Sequence, residues 1–181
     1  MYRIFINGGG SSPYDNIALK AGWKLGVNSG GKNVHRDRVF MVDNNWRHYD
    51  HTQHLHAIIH HRPYMATVRD IESHVDQIQL LEKIKEINQY CERVVIIPKS
   101  SLIPELLEFS SLILGLPLGP AQNPTSWDYA LHSDFPVHLL GGSPKKWVNV
   151  IARLGEDRIH SFDGNYLTKI AKWGKIYDNF R

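Results

Sequence analysis

Cysteine is nearly absent: Cys91 is the only one in 181 residues, which excludes a disulfide framework and a Cys-based zinc cage. No apolar run reaches membrane-spanning length, and the opening MYRIFINGGG lacks the apolar centre of a signal peptide. No membrane partner and a cytoplasmic location are therefore expected. An excess of one charge is lacking too, since a net +3 permits a polyanionic partner without requiring one. The stretch HYDHTQHLHAIIHH contains no glutamate, so the HExxH metal-site pattern is missing, and GGGSSP lacks the Lys-Ser/Thr ending of a nucleotide P-loop. We therefore expect neither a metal nor a cofactor. What is left is an ordinary composition, 42% hydrophobic and 22% charged, suited to a single catalytic domain over residues 1–181.

Seven short apolar runs organise the chain, and each ends in a polar or Gly-rich element. RIFIN runs into Gly8-Gly9-Gly10, FMVD ends at Asp43, ATVRD at Asp70, RVVIIPK at Lys99, LILGLPLG passes Gly115, VHLLGGSP reaches Gly141, and HSFD ends at Asp163. Strands are predicted at 2–6, 38–42, 64–68, 93–97, 111–115, 136–140 and 158–162. Between them we expect a helix capped by Ser12 and running from Pro13 to about Trp23, a loop over Gly26–Asn33, and helices near 50–61, 73–90 and 102–109. Pro117 to Asp134 reads as irregular, a helix opens at Pro144, and a last one begins near Tyr166. The 73–90 helix rests on Val75, Ile78, Leu81, Ile84, Ile87 and Cys91, spaced three or four apart. Alternation of strand and helix implies parallel strands with right-handed crossovers. The fold class is α/β: a compact or incomplete (β/α) barrel of about seven parallel strands, with an open doubly wound sheet as the alternative.

In such a repeat the carboxyl ends of all strands share one rim, and sites are built there. Asp43, Asp70 and Asp163, scattered in sequence, would meet on it. Taken singly, an aspartate after a strand is a turn former or helix cap. Held together, carboxylates separate in pKa, so that one keeps a proton while another stays charged. Such a pair suits attack on, or stabilisation of, an oxocarbenium-like sugar centre with protonation of the leaving group. In VHLLGGSPKKW, Gly141 and Gly142 permit close backbone approach, and a helix start after Ser143-Pro144 with Lys145 and Lys146 would receive phosphate. The histidines 48, 51, 54, 56, 60 and 61 read as structural or surface groups, with metal or phosphate contact the lesser alternative. Trp46, Trp127, Trp147 and Trp173 fall near rim-side segments, where core packing is the default and stacking on an unpaired base the alternative.

The C-terminal third, PVHLLGGSPKKWVNVIARLGEDRIHSFDGNYLTKIAKWGKIYDN, resembles the end of the catalytic barrel of the tRNA-guanine transglycosylases, the queuine and archaeosine enzymes. In that family a His/Tyr-Leu-x-Gly-x-Gly-x-Pro strand and turn precede a helix. A Phe-Asp follows on the last strand, then a Thr-Arg/Lys-x-Ala-Arg/Lys-x-Gly tail. The counterparts here are His138 to Pro144, Phe162-Asp163, and Thr168 to Gly174, and LILGLPLG resembles the family's Gly-Gly-Leu-x-x-Gly strand. The resemblance covers roughly the last 70 residues. It implies that Asp163 is the nucleophile toward C1′, Asp43 the second catalytic aspartate and Asp70 the reader of the base.

The family follows its second aspartate with Ser-Gly-Gly-Phe-Gln, whereas Asn44-Asn45-Trp46-Arg47 stands here. With Cys91 alone, these residues offer no counterpart to the family's Cys-rich zinc subdomain that holds tRNA. The chain also resembles small proteins of bacteria and phages with VRD, Pro-Lys and VHLLGG…DGN blocks, an association with DNA modification or antiviral defence.

The sequence thus leads us to expect a DNA glycosylase that cleaves the N-glycosidic bond of a flipped, modified base. Asp163 and Asp43 would be catalytic. Asp70, Asn44, Asn165, Gly115, Gly141 and Gly142 would contact the base, and Lys145, Lys146, Lys169, Lys172 and Arg47 the phosphates. A base-exchanging DNA or RNA transglycosylase is the alternative within the same chemistry. A non-catalytic nucleic-acid-binding module and a metal-dependent phosphoesterase using Asp43 and the histidines are the alternatives outside it.

Overall fold

The computed structural model describes residues 1–7, 13–30, 39–45, 47–119 and 123–164. Its strands are β1 Tyr2–Asn7, β2 Lys24–Asn28, β3 Val39–Asp43, β4 Met65–Thr67, β5 Arg93–Ile96, β6 Leu112–Pro117, β7 Val137–Leu140 and β8 Ile159–Asp163. Each pairs in parallel with the next, and β8 pairs with β1, closing a barrel in the order β1 to β8. The helices are α1 Pro13–Lys20, α2 His51–His61, α3 His74–Ile87, α4 Pro104–Leu107, α5 Pro124–His132 and α6 Pro144–Leu154.

Two expectations of the sequence are corrected. The barrel has eight strands and is closed, because Lys24–Asn28, where a loop is expected from Gly26 onward, is β2. Gly26 hid it. A Cβ there would lie 2.6 Å from Ile6 Cδ1 and 3.0 Å from Ile4 Cγ2, so neighbouring isoleucines fill the space that a larger inward residue would need. The region from Pro117 to Asp134 is not wholly irregular either. Asn123 caps α5 by accepting from the Thr125 N–H at 2.8 Å, and Pro124 takes the first helical position. The last helix expected from Tyr166, and the Ser12 cap, fall outside the described residues.

Two cores result. Between strands and helices lies a large apolar layer that includes Val42, Val68, Ile84, Ile96, Leu114, Trp147 and Phe162. α3 contributes Leu80, Ile84 and Ile87, while Ile78, expected on the buried stripe, is 65% exposed. Cys91 lies just beyond α3 rather than on it, and its burial pushes the thiol up to about 12. Inside the barrel Ile4, Met41, Met65, Val95 and Ile113 pack on one another.

The pairing register slips twice. Leu25 and Gly26 face Val39 and Met41, skipping Phe40, and Val137 and His138 face Ile159 and Ser161, skipping His160. Each bulge adds a ring at the same end of the barrel. Phe40 stacks on Tyr64 at 4.8 Å and Tyr64 on His160 at 5.9 Å, with Tyr2 against both Phe40 and His160. The amino-terminal mouth is thereby plugged.

Candidate active site

The opposite mouth is open. A cavity of about 640 Å³ is lined by the last inward residues of the strands and the turns that follow them. Asp43 ends β3, Asp163 ends β8, Asp70 follows β4, and all three line it, with Asn44, Arg47, Lys99, Gly141 and Gly142 around them. The floor is apolar: Ile6, Ile97 and Leu140.

Asp43 belongs to a short relay. The buried Thr67 hydroxyl donates to its Oδ1 at 2.9 Å, and the Asn44 N–H donates to Thr67 Oγ1 at 2.7 Å. Burial, and next the charge of Asp163, push the Asp43 carboxyl up to about 7. Asp70 adds a little, while the bonds from Thr67 and the Asn44 N–H pull the other way. At neutral pH this group is therefore poised to give or take a proton. Asp163 is 5% exposed, bonded on one side and approached on the other. The Gly141 N–H donates to its Oδ1 at 2.6 Å, and His138 Nε2 stands 3.5 Å from its Oδ2.

That first contact depends on local chain geometry. Gly141 and Gly142 have φ of 65° and 90°, a region where side chains are strained. The turn aims its first N–H at Asp163. Its carbonyl accepts from Trp147 Nε1 at 2.7 Å, so Trp147 is buried beneath the turn and fastens it instead of stacking on a base.

Asp70 is fixed by a cation. Lys99 Nζ lies 2.8 Å from Asp70 Oδ2 and 3.3 Å from Glu72 Oε1. The bond to Asp70 raises the lysine above its ordinary range despite partial burial. Lys99 was not singled out from sequence; its one signal was its place at the end of RVVIIPK, equivalent to the aspartates on their strands.

The remaining expectations divide. Asn44 is 4% exposed at the cavity wall, with its amide donated to the Val68 carbonyl. Arg47 lines the cavity and also an adjoining groove of about 410 Å³, shared with Tyr49, Arg69, Asp70, Glu72 and Lys99. Gly115 sits one layer below, where a Cβ would be 2.7 Å from Ile97 Cγ1 and 3.0 Å from Leu140 Cδ1. Its bareness makes room for the floor. Lys145 is exposed, and Lys146 gives its ammonium to the Leu118 carbonyl at 2.7 Å. Ser143 holds the N-cap position of α6 without a side-chain capping bond. Asn165, Lys169, Lys172, Trp46 and Trp173 lie outside the described residues.

The histidine stretch does not enter the cavity: among the described lining residues there is no histidine. His54 is fully buried and donates from Nε2 to the Thr67 carbonyl at 2.7 Å, and burial lowers it to about 4, so it works as a neutral strut behind β4. His51 pairs with Glu86 at 3.0 Å. No group of three or more His, Cys, Asp or Glu side chains suited to a metal occurs among the described residues, nor does any helix there long and apolar enough to cross a membrane.

Fold and cavity together define a closed, eight-stranded parallel (β/α) barrel with an acidic cavity at the carboxyl ends of its strands. The chain belongs to a family described as "Family of unknown function (DUF6610)", whose model matches residues 18–181. Comparison with curated proteins and with solved structures finds no match.

Proposed function

We propose that the protein is an N-glycosidic-bond enzyme of the cytoplasm that acts on a base swung out of DNA, with a barrel akin to that of the tRNA-guanine transglycosylases. One observation carries this reading: Asp43, Asp70 and Asp163 line one cavity, and the charge of Asp163 helps lift the proton affinity of Asp43 into the neutral range. A carboxylate that attacks and a carboxyl that protonates are the two parts needed to break a glycosidic bond.

In this mechanism a carboxylate oxygen of Asp163 forms a bond to C1′ as the C1′–N bond breaks. The electron pair of that bond leaves on the base, which takes the proton of Asp43. Asp43 then accepts a proton from the acceptor that releases the sugar from Asp163. Asp70, immobilised by Lys99, reads the polar edge of the base. Asn44 and the Gly141-Gly142 turn shape the wall. Lys145, Lys146 and Arg47 take flanking phosphates, with Arg69 beside the adjoining groove; Lys146 spends one of its three N–H donors on the Leu118 carbonyl.

With water as acceptor the protein is a DNA glycosylase, the reading adopted here. Exchange of one free base for another is the second reading. The fixed Asp70–Lys99 pair favours it, since a preset edge reader serves an incoming base as well as a departing one. The test is incubation with DNA and RNA carrying ordinary and modified bases, with and without added free base, followed by mass spectrometry of the small-molecule and polymer fractions. Base release with abasic sites supports hydrolysis, and incorporation of the added base supports exchange. Tight binding without loss of any base would leave a non-catalytic binding module instead.

A further inference from the structure

Beneath Asp163 the barrel interior is polar along one line. His138 on β7 and Ser161 on β8 are fully buried and paired in register. His138 Nδ1 lies 2.7 Å from Ser161 Oγ, which lies 3.0 Å from His160 Nδ1, while His160 Nε2 lies 3.4 Å from Tyr64 Oη. At the upper end His138 Nε2 faces Asp163 Oδ2 at 3.5 Å, too long for a good hydrogen bond, and this buried nitrogen has no other partner. Four residues thus lead from the aromatic plug to Asp163.

Elementary bookkeeping of donors fixes the polarity of this line. A bare Nε2 lone pair opposite a carboxylate would be repelled, so His138 carries its hydrogen on Nε2. In the neutral ring Nδ1 then accepts, and Ser161 donates to it in preference to Met65 Sδ, a weaker acceptor 4.0 Å away. The Ser161 oxygen in turn accepts from His160 Nδ1–H, which leaves His160 Nε2 to accept from the Tyr64 hydroxyl. His160 must be neutral for this to hold. Burial, its largest cause, lowers it to about 4. Every link agrees with a single direction.

We propose that His138 is a positioning residue for Asp163, held in its Nε2–H form by a one-way hydrogen-bond chain running from Tyr64 through His160 and Ser161. The claim rests on the reading of Asp163 as nucleophile. Gly141 already holds Oδ1. A sub-ångström turn of the carboxylate brings Oδ2 onto the waiting N–H, so each oxygen gains one donor and the plane of the group is set against the sugar. An unmet buried donor costs stability. An apolar residue there would remove that cost.

The test is long-range ¹H–¹⁵N correlation of histidine-labelled, full-length protein near pH 7.5, with signals assigned by His138→Gln and His160→Gln. His138 should appear as the Nε2–H tautomer and His160 as the Nδ1–H tautomer. Ser161→Ala and Asp163→Ala should each turn the His138 signal into a tautomer mixture. An Nδ1–H or doubly protonated His138, or one indifferent to Asp163→Ala, would overturn the proposal. Kinetically, kcat for base release should fall about tenfold in Ser161→Ala and about 100-fold in His138→Leu with KM within about twofold, while His138→Gln, which keeps an N–H, recovers most of it. A His138→Leu protein with wild-type kcat would also overturn it. A wild type that shows these tautomers yet releases no base would remove the glycosidic reading and leave the chain standing.

Discussion

At the amino ends of the strands Tyr2, Phe40, Tyr64 and His160 pack ring against ring; at the carboxyl ends Asp43, Asp70 and Asp163 stand around open space. The same strands build both mouths. At the first, two bulges deliver extra rings and seal the barrel. At the second, the strands stop on carboxylates, and burial, with the charge of Asp163 next, raises the proton affinity of Asp43 at a cost in stability once it is charged. The difference teaches a division of labour: one mouth is spent on cohesion, and the other tolerates strain that chemistry can use.

The sharpest way to break this contrast is to exchange the consequences of damage at the two ends. Asp163→Asn should lower base release by at least about 10³-fold with little change in Tm. Phe40→Ala should do the reverse, costing about 2 kcal/mol in denaturant unfolding while kcat stays within about twofold at permissive temperature. A Phe40→Ala protein with collapsed kcat but unchanged stability would dissolve the distinction.

Asp43→Asn comes next, with release lowered by about 10²-fold. Because the folded protein raises this group from its ordinary 3.8 to about 7, its carboxyl binds protons more tightly folded than unfolded. Wild-type stability therefore falls as pH rises from about 4 to 7. Asp43→Asn should unfold at higher denaturant than wild type at pH 8, with the gain shrinking toward pH 4. The wild-type rate, in turn, should fall as pH climbs through about 7, where Asp43 loses its proton. A gain that grew toward acid would contradict the burial argument.

Smaller effects should follow from the Asp70–Lys99 pair and the barrel wall. Lys99→Met frees Asp70 and should raise KM about tenfold with a lesser change in kcat, read by steady-state kinetics. Gly26→Ala forces a methyl group against Ile6 and should cost about 1–2 kcal/mol by denaturation, with activity per folded molecule intact.

How much of this was legible follows the same division. The three aspartates were readable because a carboxylate closing an apolar run is local, and closure of the barrel does the rest. β2 was not, because its central Gly26 answers to Ile4 and Ile6 on another strand. α5 carried a readable start in Asn123-Pro124 that the surrounding Gly and Pro residues outweighed. Lysines beside a Gly-Gly-Ser-Pro turn suggested a phosphate seat; the bond from one of them to the Leu118 carbonyl was not readable locally. The contacts of Lys99, Thr67 and His138 with the aspartates became visible only with the site, since each acts on an aspartate from a different strand or turn.

Most direct for the central claim is the mass of a defined DNA strand after incubation with each of two proteins, wild type and Asp163→Asn. The account predicts a strand lighter by its target base, or carrying the supplied one, with wild type and an unaltered strand with Asp163→Asn. A base lost equally with both proteins would contradict it.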